Sequence, residues 1–481
     1  MLTLLVRPLT GGSHRGSGFP EHLLTNIFEF PAGLNHPLLS LELKLDIADE
    51  RMRMKFNKPS GSPASGVRRW GSPRQLVLAS AASIAVAGLL SACSQLTETL
   101  TIAFVYVTSA KAAGPNNYGL VDVFEINSQS GHMRQIPTSP FPSGGRNPVA
   151  EAVSSDNTNL YVVNRDDNTI VQFIIGSDGK LYPQNTVNTP GVFPLAVSVA
   201  QTTLYVADTY QPLASCSPAA PCSGSIAVFP ILPASGSVQV GKLQTNTSIN
   251  SCNGLQYVPL TLPGASGHVI TPTALKASGD GANLFVSAVD ATANRGYLFA
   301  YAVGSIDCGG TVANPTLTPL PGSPYAAGVQ PSAVTSDPSG THVYVTDFAS
   351  AAVLGYSVSS GGLAPVGGSP FASGNQPASI TIDATGKFAM VAESQDSTVA
   401  TYTINNGVLS RVGSFATGAQ PVAVGIDPRL NKYAFTANFL GNNVSGYALN
   451  SDGSLFNTQY SPFTASANPT AVAAIPHNGS L

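Results

Sequence analysis

From residue 102 to the C-terminus the chain repeats one pattern of apolar and polar positions. A short apolar run opens on a proline, as in Gln330-Pro331-Ser332-Ala333-Val334. It turns at Asp337-Pro338-Ser339-Gly340 and returns as Val343-Tyr344-Val345-Thr346-Asp347. Third segments such as Val121-Asp122-Val123-Phe124-Glu125 alternate with period two, the signature of a half-buried strand. Asp178-Gly179, Gly361-Gly362 and Asp452-Gly453 supply the tight turns that open fourth strands. The opening prolines are Pro148, Pro194, Pro272, Pro331, Pro377, Pro421 and Pro469, and four of their six gaps run from 44 to 48 residues. That is the length of a four-stranded propeller blade. The two longer gaps, 78 and 59 residues, flank cysteine-bearing insertions.

The ends complete the count. The repeat region starts with a second-type strand, Ala103-Phe104-Val105-Tyr106-Val107, and finishes with a first-type strand, Pro469-Thr470-Ala471-Val472. Those two must share a blade. The sequence therefore predicts an all-β fold over residues 102–476: a seven-bladed propeller of four-stranded blades, closed by the C-terminal strand against the N-terminal strands. Closure removes the free edges that a sheet must otherwise protect.

Composition agrees. Only 10% of residues are charged, while 47 Gly and 37 Pro punctuate the chain, which suits many short strands. From Cys93 onward nineteen acidic residues outnumber twelve basic ones, so no basic footprint for nucleic acid is expected. Cys216, Cys222, Cys252 and Cys308 lie in polar loops, and an even number outside the cytosol reads as two disulfides. Cys216 and Cys222 could close a small Pro-rich loop and Cys252–Cys308 could staple adjacent blades, although four cysteines allow three connectivities.

The N-terminus reads as an address. Residues 52–75 carry six Arg or Lys and no acid, and Leu76–Leu90 follows as an apolar and small-residue run of 15 residues. This is too short to span a bilayer but fits a signal segment, assigned to 52–92. It ends in Leu90-Ser91-Ala92-Cys93, which resembles a bacterial lipobox. That resemblance implies lipidation at Cys93, a tether over 93–101, the membrane as a partner through the lipid, and a place in the bacterial cell envelope on the periplasmic or surface side. Residues 1–51 lack periodicity and are expected to be a disordered extension foreign to the natural product.

Tyr344-Val345-Thr346-Asp347 and Tyr161-Val162-Val163-Asn164 resemble the YVTN repeat of bacterial surface propellers. The segments Gly322-Ser323-Pro324-Tyr325 and Gly368-Ser369-Pro370-Phe371 resemble the lactonase family of seven-bladed propellers, which includes 6-phosphogluconolactonases. This resemblance covers residues 102–476 and implies the fold; one fold hosts many sites. It also implies His and Arg just after the opening prolines. Here those positions read Val149-Ala150, Leu195-Ala196, Thr273-Ala274, Ser332-Ala333, Ala378-Ser379, Val422-Ala423 and Thr470-Ala471.

Loops entering the first strands and leaving the second strands share one face, where a site is expected. It gathers Gln330, Gln376 and Gln420 from the first set, and Asn164, Asp208, Asp347, Glu393 and Asn438 from the second, as ligand-binding candidates. The competing reading is that such residues cap strand ends and turns. Three residues after the proline, the copies read Val197, Leu275, Val334, Ile380, Val424 and Val472, but the first reads Glu151. A carboxylate at an apolar position needs a partner or a task. With Arg146 and Arg165 it forms the candidate catalytic group, Glu151 as general base or ligand anchor, against a structural ion pair as the alternative.

No metal site or cofactor is expected, and the body is expected to be a monomer. The sequence favours a lipid-anchored, extracytoplasmic binding or scaffold module that takes an unknown small molecule or protein partner at the channel mouth. The alternative is a lactonase-type hydrolase of a sugar lactone.

Overall fold

The computed structural model describes residues 101–111, 115–232, 242–309 and 313–477, with two further short strands, Leu24–Thr25 and Glu42–Leu43, that pair antiparallel. Otherwise the expected extension over 1–51, the signal segment over 52–92, and Cys93 with its tether as far as residue 100 lie outside the described residues.

The body is built from seven antiparallel sheets. Blade one is the shared blade: its strands are Pro469–Pro476, Thr101–Ser109, Leu120–Asn127 and Met133–Gln135. The register pairs Phe104 with Ile475, Val107 with Val472 and Ser109 with Pro469, so the ring closes as the repeat count requires. Blades two to seven begin with the first strands Pro148–Val153, Val192–Ala200, Ile270–Ala277, Pro331–Ser336, Pro377–Ile382 and Pro421–Ile426. Each first strand packs beside the next all the way round, including the closing strand, so the seven together enclose the axis.

The proline signature has a structural meaning. Asn147, Phe193, Gln376, Gln420 and Asn468, each just before its proline, adopt left-handed backbone with φ between 52° and 59°. In blades two to seven the register then slips between the proline and the second residue after it, as between Pro148 and Ala150. The residue just after the proline is thus the unpaired member of a β-bulge, which bends the strand into the channel wall. The carbonyl before the proline is also reused: those of Asn147, Gln330, Gln376, Gln420 and Asn468 accept the N–H of Arg165, Phe348, Ser394, Phe439 and Ala110, at 2.8–3.0 Å.

Apolar side chains fill the gaps between blades. Phe104, Tyr106, Val121 and Val123 of blade one bury against Leu160, Val162, Val171 and Phe173 of blade two. Tyrosines bolt the sheets together as well. Tyr106 and Tyr344, on second strands, donate to the carbonyls of Gly179 and Gly407 in the next blade. On third strands, Tyr402 and Tyr447 donate back to Ala372 and Ala416 in the preceding blade. The Gly-Ser-Pro-aromatic segments serve a similar end: Ser323 and Ser369 accept the third-strand amides of Ala300 and Gly355, both at 3.0 Å, where the short fourth strand offers no partner.

Both expected disulfides form, Cys216–Cys222 and Cys252–Cys308. The first closes the loop leaving the second strand of blade three, Thr203–Tyr210. The second ties the blade-three insertion to blade four, where Asn250 also donates to the carbonyl of Pro315 and accepts from the amide of Leu317.

Candidate functional site

The second-strand ends form the expected ring, but the ring faces inward. Asn164, Asp208, Asp347, Glu393 and Asn438 stand opposite Pro148, Pro194, Pro331, Pro377 and Pro421 and are all at most 1% exposed. The Asp347 carboxylate accepts the amides of Val329 and Gln330 at 2.8 and 2.9 Å. Burial pushes its pKa up, yet hydrogen bonds from Ser350 and these amides outweigh it and leave Asp347 below the usual range. Glu393 accepts from the amide of Gly374 and from Arg411 and Thr398. These side chains fasten the loops that enter the first strands, which is the strand-capping role of Asn and Asp. Gln330, Gln376 and Gln420 lie on the same face with more accessible side chains, and their side-chain amides form no hydrogen bond among the described residues.

Glu151, Arg146 and Arg165 do not converge. Glu151 lies opposite Val162, whereas Arg165 lies beyond the strand end with its N–H on the carbonyl of Asn147. Three strand residues separate those levels, about 10 Å. Arg146 pairs with Asp167 at 2.6 Å and Arg165 with Asp166 at 3.9 Å. Glu151 instead faces blade one. Its Oε2 accepts from the Thr108 hydroxyl at 2.5 Å, while Oε1 is buried and has no partner. Burial pushes its carboxyl up to about 8, against the hydrogen bonds from Thr108 and the Ala473 amide. The same competition raises Asp208 to about 7, with Oδ1 likewise unpartnered.

Around the mouth, three adjacent blades present a different constellation. Before its proline, where five of the other copies have Asn or Gln and blade four has Thr271, blade three places Phe193. Its ring lies 6.2 Å from that of Tyr210, and the Arg165 guanidinium of blade two sits 4.7 Å above it. The amide of Gln211, the next residue, donates to the carbonyl of Ser223 across the base of the disulfide loop. The Ser223 hydroxyl in turn donates to the carbonyl of His268. His268 Nδ1 lies 2.6 Å from Oδ2 of the fully buried Asp290, in blade four. Asp290 stands opposite Ile270, two residues ahead of Pro272, which puts the pair on the mouth face.

Burial opposes ionisation of Asp290, but hydrogen bonds from His268, Ala293 and Thr292 hold its carboxyl below the usual range. The carboxylate therefore stays charged and fixes the imidazole, whose Nε2 has no partner among the described residues. A carboxylate-oriented histidine is the arrangement of a positioned general base.

Sequence reasoning set His268 aside with His132, His342 and His477 as scattered over turns and strand ends, and did not pair it with Asp290. The signal was present: His268 precedes Pro272 by four residues, and Asp290 extends its strand two residues beyond the Ala288 that stands opposite that proline. No group of three or more His, Cys, Asp or Glu that could hold a metal occurs among the described residues.

No curated protein matches the chain in sequence. The family model described as "Lactonase, 7-bladed beta-propeller" matches residues 117–212 and 302–426. Among solved structures, a provisionally assigned 6-phosphogluconolactonase from Bacteroides fragilis NCTC 9343 superposes with a TM-score of 0.59 at 19% identity, over 79% of this chain and 99% of that one. A second provisionally assigned 6-phosphogluconolactonase, from Bacteroides uniformis ATCC 8492, gives 0.55 at 20% identity over 78% and 100%. The periplasmic gluconolactonase of Pseudomonas aeruginosa gives 0.53 at 18% identity over 78% and 99%. In sequence over the two matched stretches, and in fold over its seven blades, the chain is similar to the lactonase family of seven-bladed β-propellers.

Proposed function

We propose that the protein opens a cyclic ester by hydrolysis at the mouth of blades two to four, and the observation that carries this is His268 held by buried Asp290 with Nε2 unpartnered. The lactonase family match supports the reaction class. His268 Nε2 takes a proton from water as the water oxygen attacks the lactone carbonyl. Arg165, stacked on Phe193, stabilises the oxyanion that develops. The carbonyl re-forms, the ring C–O bond breaks, and the leaving alkoxide takes the proton back from the imidazolium, giving a hydroxy acid. Phe193 and Tyr210 supply an apolar surface on which a sugar ring stacks.

The test is hydrolysis of δ-gluconolactone by the purified full chain. His268→Gln should lose about 10²–10⁴-fold in turnover, the usual worth of a positioned base. Asp290→Asn should fall with it, while His342→Gln, a histidine outside the mouth, should not. Equal turnover in His268→Gln and the parent sinks the mechanism.

A second reading, binding without turnover, is favoured by one observation. The bulged positions after the prolines hold Val149, Leu195, Thr273, Ser332, Ala378, Val422 and Thr470, none of them an acid or a base. Tight lactone binding with no hydrolysis above the buffer rate would select it. A lipid anchor at Cys93 in the cell envelope and a monomeric body belong to the same proposal. The two disulfides support an oxidising compartment. Radiolabelled palmitate entering the parent but not Cys93→Ser would test the anchor.

A further inference from the structure

A cavity of about 200 Å³ opens in blade one, lined by Thr101, Glu125, Asn127, His132 and Arg134. Thr101 pairs with Asn127 at one end of the second and third strands, whereas Ser109 and Leu120 pair at the mouth end. The strand Thr101–Ser109 separates the two levels by about 26 Å. The oxygen acceptors of the lining are already occupied. Glu125 Oε1 lies 2.5 Å from both Nε and Nη2 of Arg134, and Oε2 accepts from the Thr101 hydroxyl at 3.2 Å. Asn127 Oδ1 accepts the amides of Gln129 and Ser130 at 2.9 and 3.0 Å. The donors are not occupied. Arg134 Nη1, Asn127 Nδ2 and both ring nitrogens of His132 have no hydrogen-bond partner among the described residues. The imidazole is nonetheless held in place, its ring 5.3 Å from that of Tyr460 and 5.6 Å from that of Phe463 in blade seven. A second cation stands beside the lining: the Lys432 ammonium donates to the carbonyl of Ser128, the residue after Asn127, at 3.4 Å. Two fixed positive charges therefore accompany one negative charge.

We propose that this cavity binds a phosphate group, at a site separate from the mouth. The guanidinium edge that Glu125 leaves open takes two oxygens of the anion, with Asn127 Nδ2 and the His132 N–H left for a third. A carboxylate offers only two oxygens to those donors, whereas a phosphate group offers three or more. The surplus of one positive charge matches a monoanion. Soluble phosphate esters and phospholipid headgroups both carry that group. The headgroup source depends on the proposed anchor: Thr101 lies eight residues after Cys93, and eight extended residues reach about 26–29 Å. This site does not rest on the hydrolysis reading, since none of the mouth residues takes part.

Inorganic phosphate is the probe, titrated calorimetrically into the purified full chain, with acetate in parallel. The parent should bind phosphate at least tenfold more tightly than acetate. Arg134→Met, which removes the charge from an exposed side chain, should bind phosphate at least tenfold more weakly. His132→Phe keeps the ring contacts and removes the N–H; it should also weaken binding, and carries the test if the Arg134 variant does not fold. Arg165→Ala should match the parent, which separates this site from the mouth. Sedimentation with phosphatidylglycerol vesicles, compared between the parent and Arg134→Met, distinguishes the sources: a bound fraction that falls with Arg134 assigns the headgroup, and equal fractions assign a soluble ester. Undiminished phosphate binding by the folded variant, acetate binding as tight as phosphate, or no phosphate binding by the parent each overturn the proposal.

Discussion

Replacing Glu151 with glutamine should make the protein more stable at alkaline pH, an uncommon result for removing a residue that breaks a repeat. In the fold its carboxyl is pushed up to about 8 from 4.5, chiefly by burial. The protonated form is therefore the one that the fold accommodates. Stability from this group is complete below pH 4.5 and drains away as pH rises through about 8. At about 1.4 kcal/mol per pH unit, the loss reaches at most about 5 kcal/mol. For a body of this size that is about 6 °C in melting midpoint. The loss arises because ionised Oε1 would stand buried without a donor, next to Thr108 and the closing strand. Glu151→Gln cannot ionise. Urea unfolding at pH 5, 7 and 9 should show the two proteins diverging steadily with pH, the variant ahead at pH 9. Parallel curves across that range would refute the reasoning and show that the carboxyl is solvated.

Asp208, raised to about 7 by burial, should add its own loss between pH 3.8 and about 7, so Asp208→Asn combined with Glu151→Gln should flatten the pH profile further than either alone. Tyr344→Phe removes the hydrogen bond to Gly407 and should cost about 1 kcal/mol in urea unfolding. Replacing Cys252 and Cys308 with serine opens a 56-residue loop and should cost up to about 4 kcal/mol, against about 2 for the Cys216–Cys222 pair, measured by the same unfolding. Deleting residues 469–481 leaves Thr101–Ser109 without its first-strand partner, and should abolish cooperative unfolding by calorimetry.

The ring was legible because its evidence is repeated. Proline, small residue, apolar residue and turn recur at blade spacing, and the mismatched ends demand closure. The same comparison between copies found Glu151, and it would have found Phe193 had every position been held to the same test. What it could not supply was depth. Glu151 and Arg165 belong to one hairpin and look adjacent in sequence register, yet the carboxyl lies between sheets while the guanidinium lies at the rim. The acids and amides at second-strand ends posed a related ambiguity. Asp347 at a channel mouth reads as a ligand, but its carboxylate is occupied by the amides of Val329 and Gln330. Those amides need an acceptor because the left-handed turn and bulge deprive the entering loop of ladder partners. His268 lies in the loop entering the strand Ile270–Ala277 and Asp290 ends the strand paired with it, and only the pairing of Ile270 with Asp290 shows that they share an end.

Ala103 pairs with Pro476, so the polypeptide enters and leaves the ring on the side away from Phe193, Arg165 and His268. Ile102 and His477, where the ring begins and ends, are hydrogen-bonded, so a short linker could join the ring's two edges. A circularly permuted protein cut at the outer turn near Gly309 should assemble the same ring, with its weakest seam moved from blade one to blade four.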